Sequence, residues 1–211
     1  MNKRILFLLP YPLHRAPSQR FRVEAYFNLL RDHNISFTTR EFLDDKAWEI
    51  LYKKGSLIKK AIAVSKGYLK RIKLLFKTGS YTHIFIHREA APLGPPVFEW
   101  FLAKVLKKKI IYDFDDAIWI PNTSRENKFA SWLKAFWKVK YICRWSYKIT
   151  AGNEYLYNYA RNYNPKVILL PTCVDMVHRF NKLKQHTTGQ PIIGWTGSHS
   201  TMHYLDELLP V

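Results

Sequence analysis

The chain has 211 residues, enough for one sizeable hydrophobic core and the beginning of a second. Its 47% hydrophobic and 16% aromatic content excludes an intrinsically disordered protein. Lysine and arginine (34 residues) outnumber aspartate and glutamate (16), and the formal charge of +18 favours an anionic partner: nucleic acid, anionic lipid or a phosphorylated substrate.

Cysteine content and hydropathy indicate where in the cell the protein is expected. Cys143 and Cys173 show no metal-binding or redox spacing, which favours a reduced, cytoplasmic environment. The apolar run over residues 5–9 is broken by Pro10, so it predicts a core strand rather than a signal peptide. No segment approaches the roughly 20 apolar residues that span a bilayer. If the protein meets a membrane, we expect it to lie peripherally on the inner face.

Strand-like and helix-like segments alternate along the chain. The predicted strands are residues 5–9, 35–42, 81–87, 109–113, 148–151 and 167–170, and the predicted helices are 19–31, 53–77, 94–106, 125–147 and 153–162. In the first helix, Phe21, Ala25, Leu29 and Leu30 are predicted to share one side. This alternation predicts an α/β fold with a Rossmann-like, doubly wound parallel sheet. Ligands of such sheets bind beyond the carboxyl ends of the strands.

The helix over residues 53–77 is strongly basic and contains no carboxylate. Its apolar residues recur at steps of three and four and form one stripe, which consists of Ile58, Ile62, Leu69, Ile72 and Phe76. The stripe could face the core and leave a solvated basic face. Alternatively, the helix could dock on an anionic membrane leaflet, where each lysine adds about 1 kcal/mol. No nucleic acid is expected, because no nucleic-acid-binding motif accompanies the charge.

The aromatic helix over residues 125–147 contains tryptophan, tyrosine and phenylalanine among lysines. Aromatic residues around a whole helix are typical of burial on several sides, so core packing is favoured. Interfacial anchoring remains an option for Trp137 and Tyr141.

Polar clusters follow three of the predicted strands. The first contains His14, Arg15, Ser18, Gln19 and Arg20, and its helix-start amides and guanidinium groups would suit a phosphate or carboxylate. It lacks the Gly-x-Gly-x-x-Gly pattern of dinucleotide sites. Its arginines could instead pair with local carboxylates.

The other two clusters are residues 87–89, which close the third predicted strand, and residues 113–116, which close the fourth. Polar side chains at the edge of a core are costly without a purpose, although an Arg88–carboxylate pair would explain the first of these clusters. Three aspartates within 113–116 repel one another, which raises some of their pKa values or recruits a cation or an arginine. Helix capping explains at most one of them.

Five stretches of the chain together resemble bacterial family-4 glycosyltransferases of surface-polysaccharide biosynthesis. They are residues 5–12, 16–22, 112–119, 150–156 and 193–201, and Asp-Phe-Asp-Asp within the third is the most specific. The resemblance implies a GT-B architecture of two facing Rossmann-like domains. The amino-terminal domain would bind a glycan or lipid-linked acceptor, and the carboxyl-terminal domain a nucleotide-sugar donor. It implies metal-independent transfer without a cofactor, the nucleotide sugar being a co-substrate.

The same resemblance assigns roles to individual positions. Asp115 and Asp116 stand where many relatives have a catalytic His-Asp pair, and Asp115 departs from the histidine. The implied acceptor-binding residues are Arg15, Gln19, Arg20, His87, Arg88, Glu89 and Asp113, and the implied donor-binding residues are Gly194, Thr196, Gly197 and Ser198. Residues 171–175 resemble the family's interdomain Pro-Asn-Gly-Val-Asp, with Thr172 and Cys173 departing from it.

The expected domain organisation is an acceptor-side domain over residues 1–180, a linker over 181–190 and the truncated start of a donor domain over 191–211. The family's donor-domain Glu-x7-Glu motif and its donor-phosphate Arg/Lys would lie further along the chain than residue 211, so we expect the chain to be inactive alone. Apolar tail residues, among them Ile192, Trp195 and Leu208, are predicted to dock on the first domain or on a second copy, which would give a homodimer. The alternative function is a non-catalytic binding module for anionic lipid or polysaccharide.

Overall fold

The computed structural model describes residues 4–51, 55–121, 133–176, 180–182 and 194. Six parallel strands form one sheet in the order β2-β1-β3-β4-β5-β6. The strands are β1 (Arg4–Leu9), β2 (Ser36–Glu41), β3 (His83–His87), β4 (Lys109–Phe114), β5 (Lys148–Ala151) and β6 (Val167–Leu169). The predicted Rossmann-like, doubly wound α/β fold is confirmed.

Helices connect successive strands. They are α1 (Pro17–Arg22), α2 (Phe27–Asp32), α3 (Asp45–Leu51), α4 (Leu57–Leu75), α5 (Val97–Trp100), α6 (Lys138–Trp145) and α7 (Glu154–Arg161). A 3₁₀ turn over Glu24–Tyr26 separates α1 from α2, and a π-helical turn over Phe101–Val105 continues α5. Asn153 caps α7, since its side chain accepts a hydrogen bond from the Leu156 amide at 2.9 Å.

Side chains alternate between the two faces of the sheet, and each face has its own core. Strand residues such as Leu8, Ile86 and Tyr112 pack on one face against the helices that follow β2. On the other face, Phe7 and Leu9 pack against residues of the α1–α2 segment. The helices are therefore divided between the faces as a doubly wound sheet requires.

The prediction of one helix over residues 19–31 is wrong in its continuity and in its buried face. Val23 and Phe27 are buried, whereas Ala25 and Leu29 are exposed. The reason is the 3₁₀ turn, which has about three residues per turn and so changes the helical phase between α1 and α2.

Of the two later helices, the first is shorter than predicted and the second is interrupted by a turn at residues 135–137. The helix expected from residue 94 begins only at Val97, because residues 94–96 are Gly-Pro-Pro and a residue before proline is disfavoured in a helix. Of the helix predicted over 125–147, the structure describes α6, and residues 122–132 lie outside the described residues.

The predicted basic helix corresponds to α4, but its apolar stripe points away from the core. Ile58 is 77% exposed and Phe76 is 85% exposed, and the other three stripe residues are exposed as well. The inward side instead carries Gly67, whose missing side chain admits the Phe42 ring; a Cβ there would lie 2.5 Å from that ring. The core-facing interpretation of the stripe is therefore wrong.

Arg71 fixes the rotation of α4 about its axis. Its buried guanidinium donates to the Arg40 carbonyl at 2.9 Å and the Leu9 carbonyl at 2.8 Å, and its Nε donates to the Ala90 carbonyl at 2.7 Å. These carbonyls lie at the carboxyl ends of β2 and β1 and just after β3. Burial lowers the pKa of Arg71 to about 10, which leaves the group charged at neutral pH.

The sheet lies within Met1–Val174, which form one unit, and the chain from Asp175 belongs to another. The predicted linker and donor-domain start lie outside the described residues, apart from Asn181, Lys182 and Gly194. Those domain bounds, the docking of the tail and the homodimer stay predictions. Over the described ranges, no helix is long and apolar enough to cross a bilayer.

Candidate functional site

Three adjacent strands end in one row of polar side chains. The strand register pairs His87 with Asp113 and Asp113 with Thr150, so the three side chains lie on the same face of the sheet. His87 Nδ1 lies 2.8 Å from Asp113 Oδ2, and Thr150 Oγ1 donates to Asp113 Oδ1 at 2.6 Å. Parallel pairing has therefore placed a buried carboxylate between two hydrogen-bonding neighbours at the carboxyl edge.

Arg22, the last residue of α1, covers this row. Its Nη2 and Nε donate to the two Asp113 carboxylate oxygens, and its Nη1 donates to the Leu170 carbonyl. The side chains of Arg22 and Asp113 are 1% and 0% exposed, so the ion pair is fully buried. Burial by itself raises the pKa of Asp113, but the hydrogen bonds from His87 and Arg22 outweigh burial and hold the pKa below its usual value.

Ser18 extends the row across the switch point of the sheet. Its Oγ lies 3.0 Å from His87 Nε2, and its side chain is partly exposed while His87 is buried. Strands β1 and β3 are neighbours, but the chain leaves them toward opposite edges of the sheet. Open α/β sheets bind ligands at such a crevice, so the Ser18–His87 contact lies where a ligand is expected.

Ser18, His87 and Asp113 follow one another in the order of a nucleophilic triad. In such a triad, the carboxylate stabilises the imidazolium that forms during the reaction. Here Arg22 already balances the charge of Asp113, and Thr150 holds the same carboxylate. The arrangement is therefore better suited to orienting His87 toward a hydroxyl group than to activating a serine nucleophile.

Asp115 and Asp116 lie beside this network, immediately after β4. Arg88 Nη1 is 2.5 Å from Asp116 Oδ2 and 3.8 Å from Asp115 Oδ1. Burial lowers the pKa of Arg88, but the nearby carboxylates outweigh burial and raise it. Among the described residues, the buried Asp115 Oδ1 has no hydrogen-bond partner. Leaving such an acceptor unpaired costs about 1–3 kcal/mol, and a ligand that donates a hydrogen bond would remove this cost.

Gly152 lets the chain after β5 approach these acids closely. A Cβ at this position would lie 3.1 Å from Asp115 Cα and 3.7 Å from Arg22 Nη1. Its amide donates to the Phe114 carbonyl at 3.1 Å. A larger residue would therefore displace Asp115.

Gln19 is buried and supports the loop after β1. Its amide nitrogen donates to the Pro12 carbonyl at 3.2 Å and to Glu24 Oε1 at 3.0 Å, and its oxygen accepts from the Tyr11 amide. The predicted acceptor-binding role of Gln19 stays a prediction, and the observed contacts serve to shape the loop.

Three other predicted residues have partners away from the row. Glu89 pairs with Lys138 at 2.7 Å, and Arg15 pairs with Asp45 at 2.9 Å. The Arg20 guanidinium lies over the Phe21 ring, 5.8 Å from its centroid. For Arg15, pairing with a local carboxylate is thus what the structure shows.

Arg20 was predicted as a site residue, Arg22 only as part of the Gln19–Arg22 region expected to line the acceptor cleft, and Thr150 was not predicted. A signal for Arg22 was present: Pro17 marks a helix start, and from there Ser18 and Arg22 are four residues apart on one helix face. Arg20 is two residues from each and points elsewhere on the helix. Thr150 carried no signal, because its place in the row depends on the register of β5 with β4.

Among the implied donor residues, Gly194 is described, whereas Thr196, Gly197 and Ser198 lie outside the described residues. Within the described part of the chain, no group of His, Cys, Asp and Glu residues is arranged to hold a metal ion. No protein-family model matches the chain, and no curated protein sequence matches it significantly. The roles implied by the resemblance therefore stay predictions.

Proposed function

We propose that this chain is the acceptor-side domain of a family-4-like, GT-B glycosyltransferase. It would hold a glycan or lipid-linked acceptor for transfer of a sugar from a nucleotide-sugar donor. The five sequence stretches and the doubly wound fold support this proposal. The observation that carries it is the buried Asp115 Oδ1, which accepts no hydrogen bond from the described residues and lies beside the His87–Asp113–Arg22 network, at the edge where such sheets bind ligands.

The chemistry of the site suits a polyhydroxylated ligand. A sugar hydroxyl both donates and accepts hydrogen bonds. Asp115 Oδ1 requires a donor, and the network around Asp113 presents His87 Nε2 to the partly exposed Ser18 hydroxyl. One acceptor hydroxyl could therefore be held by Asp115 while a second exchanges hydrogen bonds at Ser18 and His87.

Positive charge at the site would stabilise the leaving group of the transfer reaction. A departing nucleoside diphosphate is stabilised by preorganised cations and amides, and electrostatic stabilisation of this kind usually contributes most to the rate enhancement. Arg88 stands at this edge and is held by Asp116.

The test is an Asp115→Ala variant, compared with Asp45→Ala, which removes an exposed carboxylate of a surface ion pair. Saccharide and polyprenyl-diphosphate-sugar binding to the chain is measured by saturation-transfer NMR. We expect Asp115→Ala to weaken binding about tenfold or more, the equivalent of about 1.4 kcal/mol. Its free energy of unfolding should stay equal or rise, because an unpaired buried acceptor is removed. Asp45→Ala should leave binding unchanged.

Two results would contradict the proposal. One is saccharide binding that persists unchanged in Asp115→Ala. The other is a marked loss of stability in that variant, which would make Asp115 a structural residue.

A further inference from the structure

Helix α4 presents an apolar stripe to the solvent, flanked by lysines. Its exposed apolar residues are Leu57, Ile58, Ile62, Leu69, Ile72 and Phe76, spaced so that they share one side of the helix. Six lysines lie around them, at positions 59, 60, 66, 70, 73 and 77, and residues 57–77 contain no aspartate or glutamate. The helix is thus amphipathic, with its apolar side turned outward.

The packing of the inward side makes this orientation permanent. Arg71 donates to three backbone carbonyls, Tyr68 Oη donates to the Leu93 carbonyl, and Gly67 lies against the Phe42 ring. Turning the stripe inward would break the hydrogen bonds of a buried charge, which is strongly unfavourable. Rotation of α4 within the domain therefore cannot bury the apolar side chains of the stripe.

Exposed aromatic residues also lie on the two helices that follow α4. The Tyr68 and Phe98 rings lie 5.9 Å apart, so α5 packs beside α4. On α5, Trp100 is exposed, and Trp137 at the start of α6 is also exposed. Together with Tyr141 and neighbouring prolines they line an open cavity of about 270 Å³. Tryptophan and tyrosine are enriched where proteins meet the interface of a bilayer.

We infer that this docking face, defined as the α4 stripe with Trp100 and Trp137, binds the surface of a bilayer that contains anionic phospholipid. The apolar side chains would enter the boundary between headgroups and acyl chains, and the lysines would contact the phosphates. A second copy would bring two lysine-rich faces together, which like charge opposes. A nucleic acid would use the lysines and leave the apolar stripe in water.

This inference does not depend on the proposed transferase activity. Vesicle binding needs neither a donor nor an acceptor, so either proposal can fail while the other holds. If both hold, the domain would work at the membrane surface, where a lipid-linked acceptor is found.

The first experiment is cosedimentation of the full chain with phosphatidylcholine vesicles, with and without phosphatidylglycerol, over a salt series. We expect binding that requires phosphatidylglycerol and weakens with salt. The double variant L69Q/I72Q should bind about tenfold more weakly or worse, because two inserting side chains are lost. The matched control is Leu29→Gln on α2, which replaces an exposed leucine on the opposite face of the sheet.

Charge is tested separately from apolar insertion. Lys73 is an exposed lysine of α4 next to the stripe, and Lys148 is an exposed lysine at the start of β5. Lys73→Glu and Lys148→Glu change the net charge of the chain by the same amount. We expect Lys73→Glu to weaken vesicle binding about tenfold, whereas Lys148→Glu should have a much smaller effect.

A site-specific label shows which face meets the lipid. In a Cys173→Ser background, a polarity-sensitive fluorophore is attached to Ile62→Cys or, as control, to Leu29→Cys. Emission from position 62 should shift to the blue on anionic vesicles, and emission from position 29 should not.

Each of the following results would overturn the inference. They are absence of binding to anionic vesicles, vesicle binding that L69Q/I72Q leaves unchanged, and tighter binding to duplex DNA than to vesicles. A dimer in light scattering that L69Q/I72Q dissociates, with no vesicle binding by the wild type, would assign the face to a second copy instead.

Discussion

Removing one partner of the buried Arg22–Asp113 pair should lower the free energy of unfolding several times more than removing one partner of the exposed Arg15–Asp45 pair. Arg22 and Asp113 are 1% and 0% exposed at the side chain, whereas Arg15 and Asp45 are 45% and 64% exposed. Removing one partner of a buried pair leaves an uncompensated charge and costs about 3–5 kcal/mol. Removing an exposed partner costs about 0–1 kcal/mol. We therefore expect Arg22→Met to lower the free energy of unfolding by about 3–5 kcal/mol and Arg15→Met by less than about 1 kcal/mol.

The assay is urea unfolding at neutral pH, followed by circular dichroism, with Arg22→Met, Asp113→Asn and the double variant. The double variant should lose less than the sum of the two single losses, by about 2 kcal/mol, because neither charge is then left alone. Added salt should change the Arg22→Met difference little, since buried pairs are poorly screened. Equal losses for Arg22→Met and Arg15→Met, or strict additivity in the double variant, would refute this reasoning.

Three further predictions concern packing, pH and thiol reactivity. Gly67→Ala should lower the free energy of unfolding by about 1–3 kcal/mol in urea titrations, because its methyl group would overlap the aromatic ring that packs there, whereas Gly79→Ala has open space and should change it little. The folded state lowers the pKa of Asp113, so the ionised carboxylate stabilises the fold at neutral pH, and this stabilisation is lost as the pH falls through the folded pKa. The free energy of unfolding of the wild type should therefore decline below about pH 5. The pH profile of Asp113→Asn should be flatter there. Native protein at mild alkaline pH should react with a thiol reagent at Cys173 and not at Cys143, whose pKa burial raises to about 12, and reaction at two thiols without denaturant would contradict this burial.

Hydrophobic patterning was sufficient to predict the sheet. Each of the six predicted strands has a counterpart in the structure, and no bound differs by more than two residues. The buried strand β1 is a continuous apolar run, a pattern that parallel strands covered on both faces require. The strands could be predicted from local sequence because the hydrophobicity of a segment depends only on its own residues.

The direction of the α4 stripe could not be predicted in the same way. Periodicity shows that a helix has an apolar side and does not show what that side contacts. In the structure, the inward side carries Arg71 because three backbone carbonyls from three separate segments converge on it. Those carbonyls meet only after the sheet has formed.

The candidate site likewise has a part that could be predicted from the sequence and a part that could not. Sequence position placed His87 and the aspartates after the third and fourth strands, where the rule for α/β sheets predicts a site. It did not show that Asp113 would be held by Arg22, since that contact joins residues 91 positions apart. Nor did it separate Asp113, which is fully paired, from Asp115, whose buried oxygen lacks a hydrogen-bond partner within the described residues.

The amino-acid sequence alone determined the class of fold, the strand order along the chain and the presence of an acidic cluster at one edge, because each follows from local composition and spacing. Tertiary structure alone decided which arginine balances the buried carboxylate and which side of the basic helix meets the solvent. Both outcomes depend on strand register and helix phase. A one-residue shift of a strand turns its side chains to the other face of the sheet, and a two-residue shift in a helix turns a side chain to its far side.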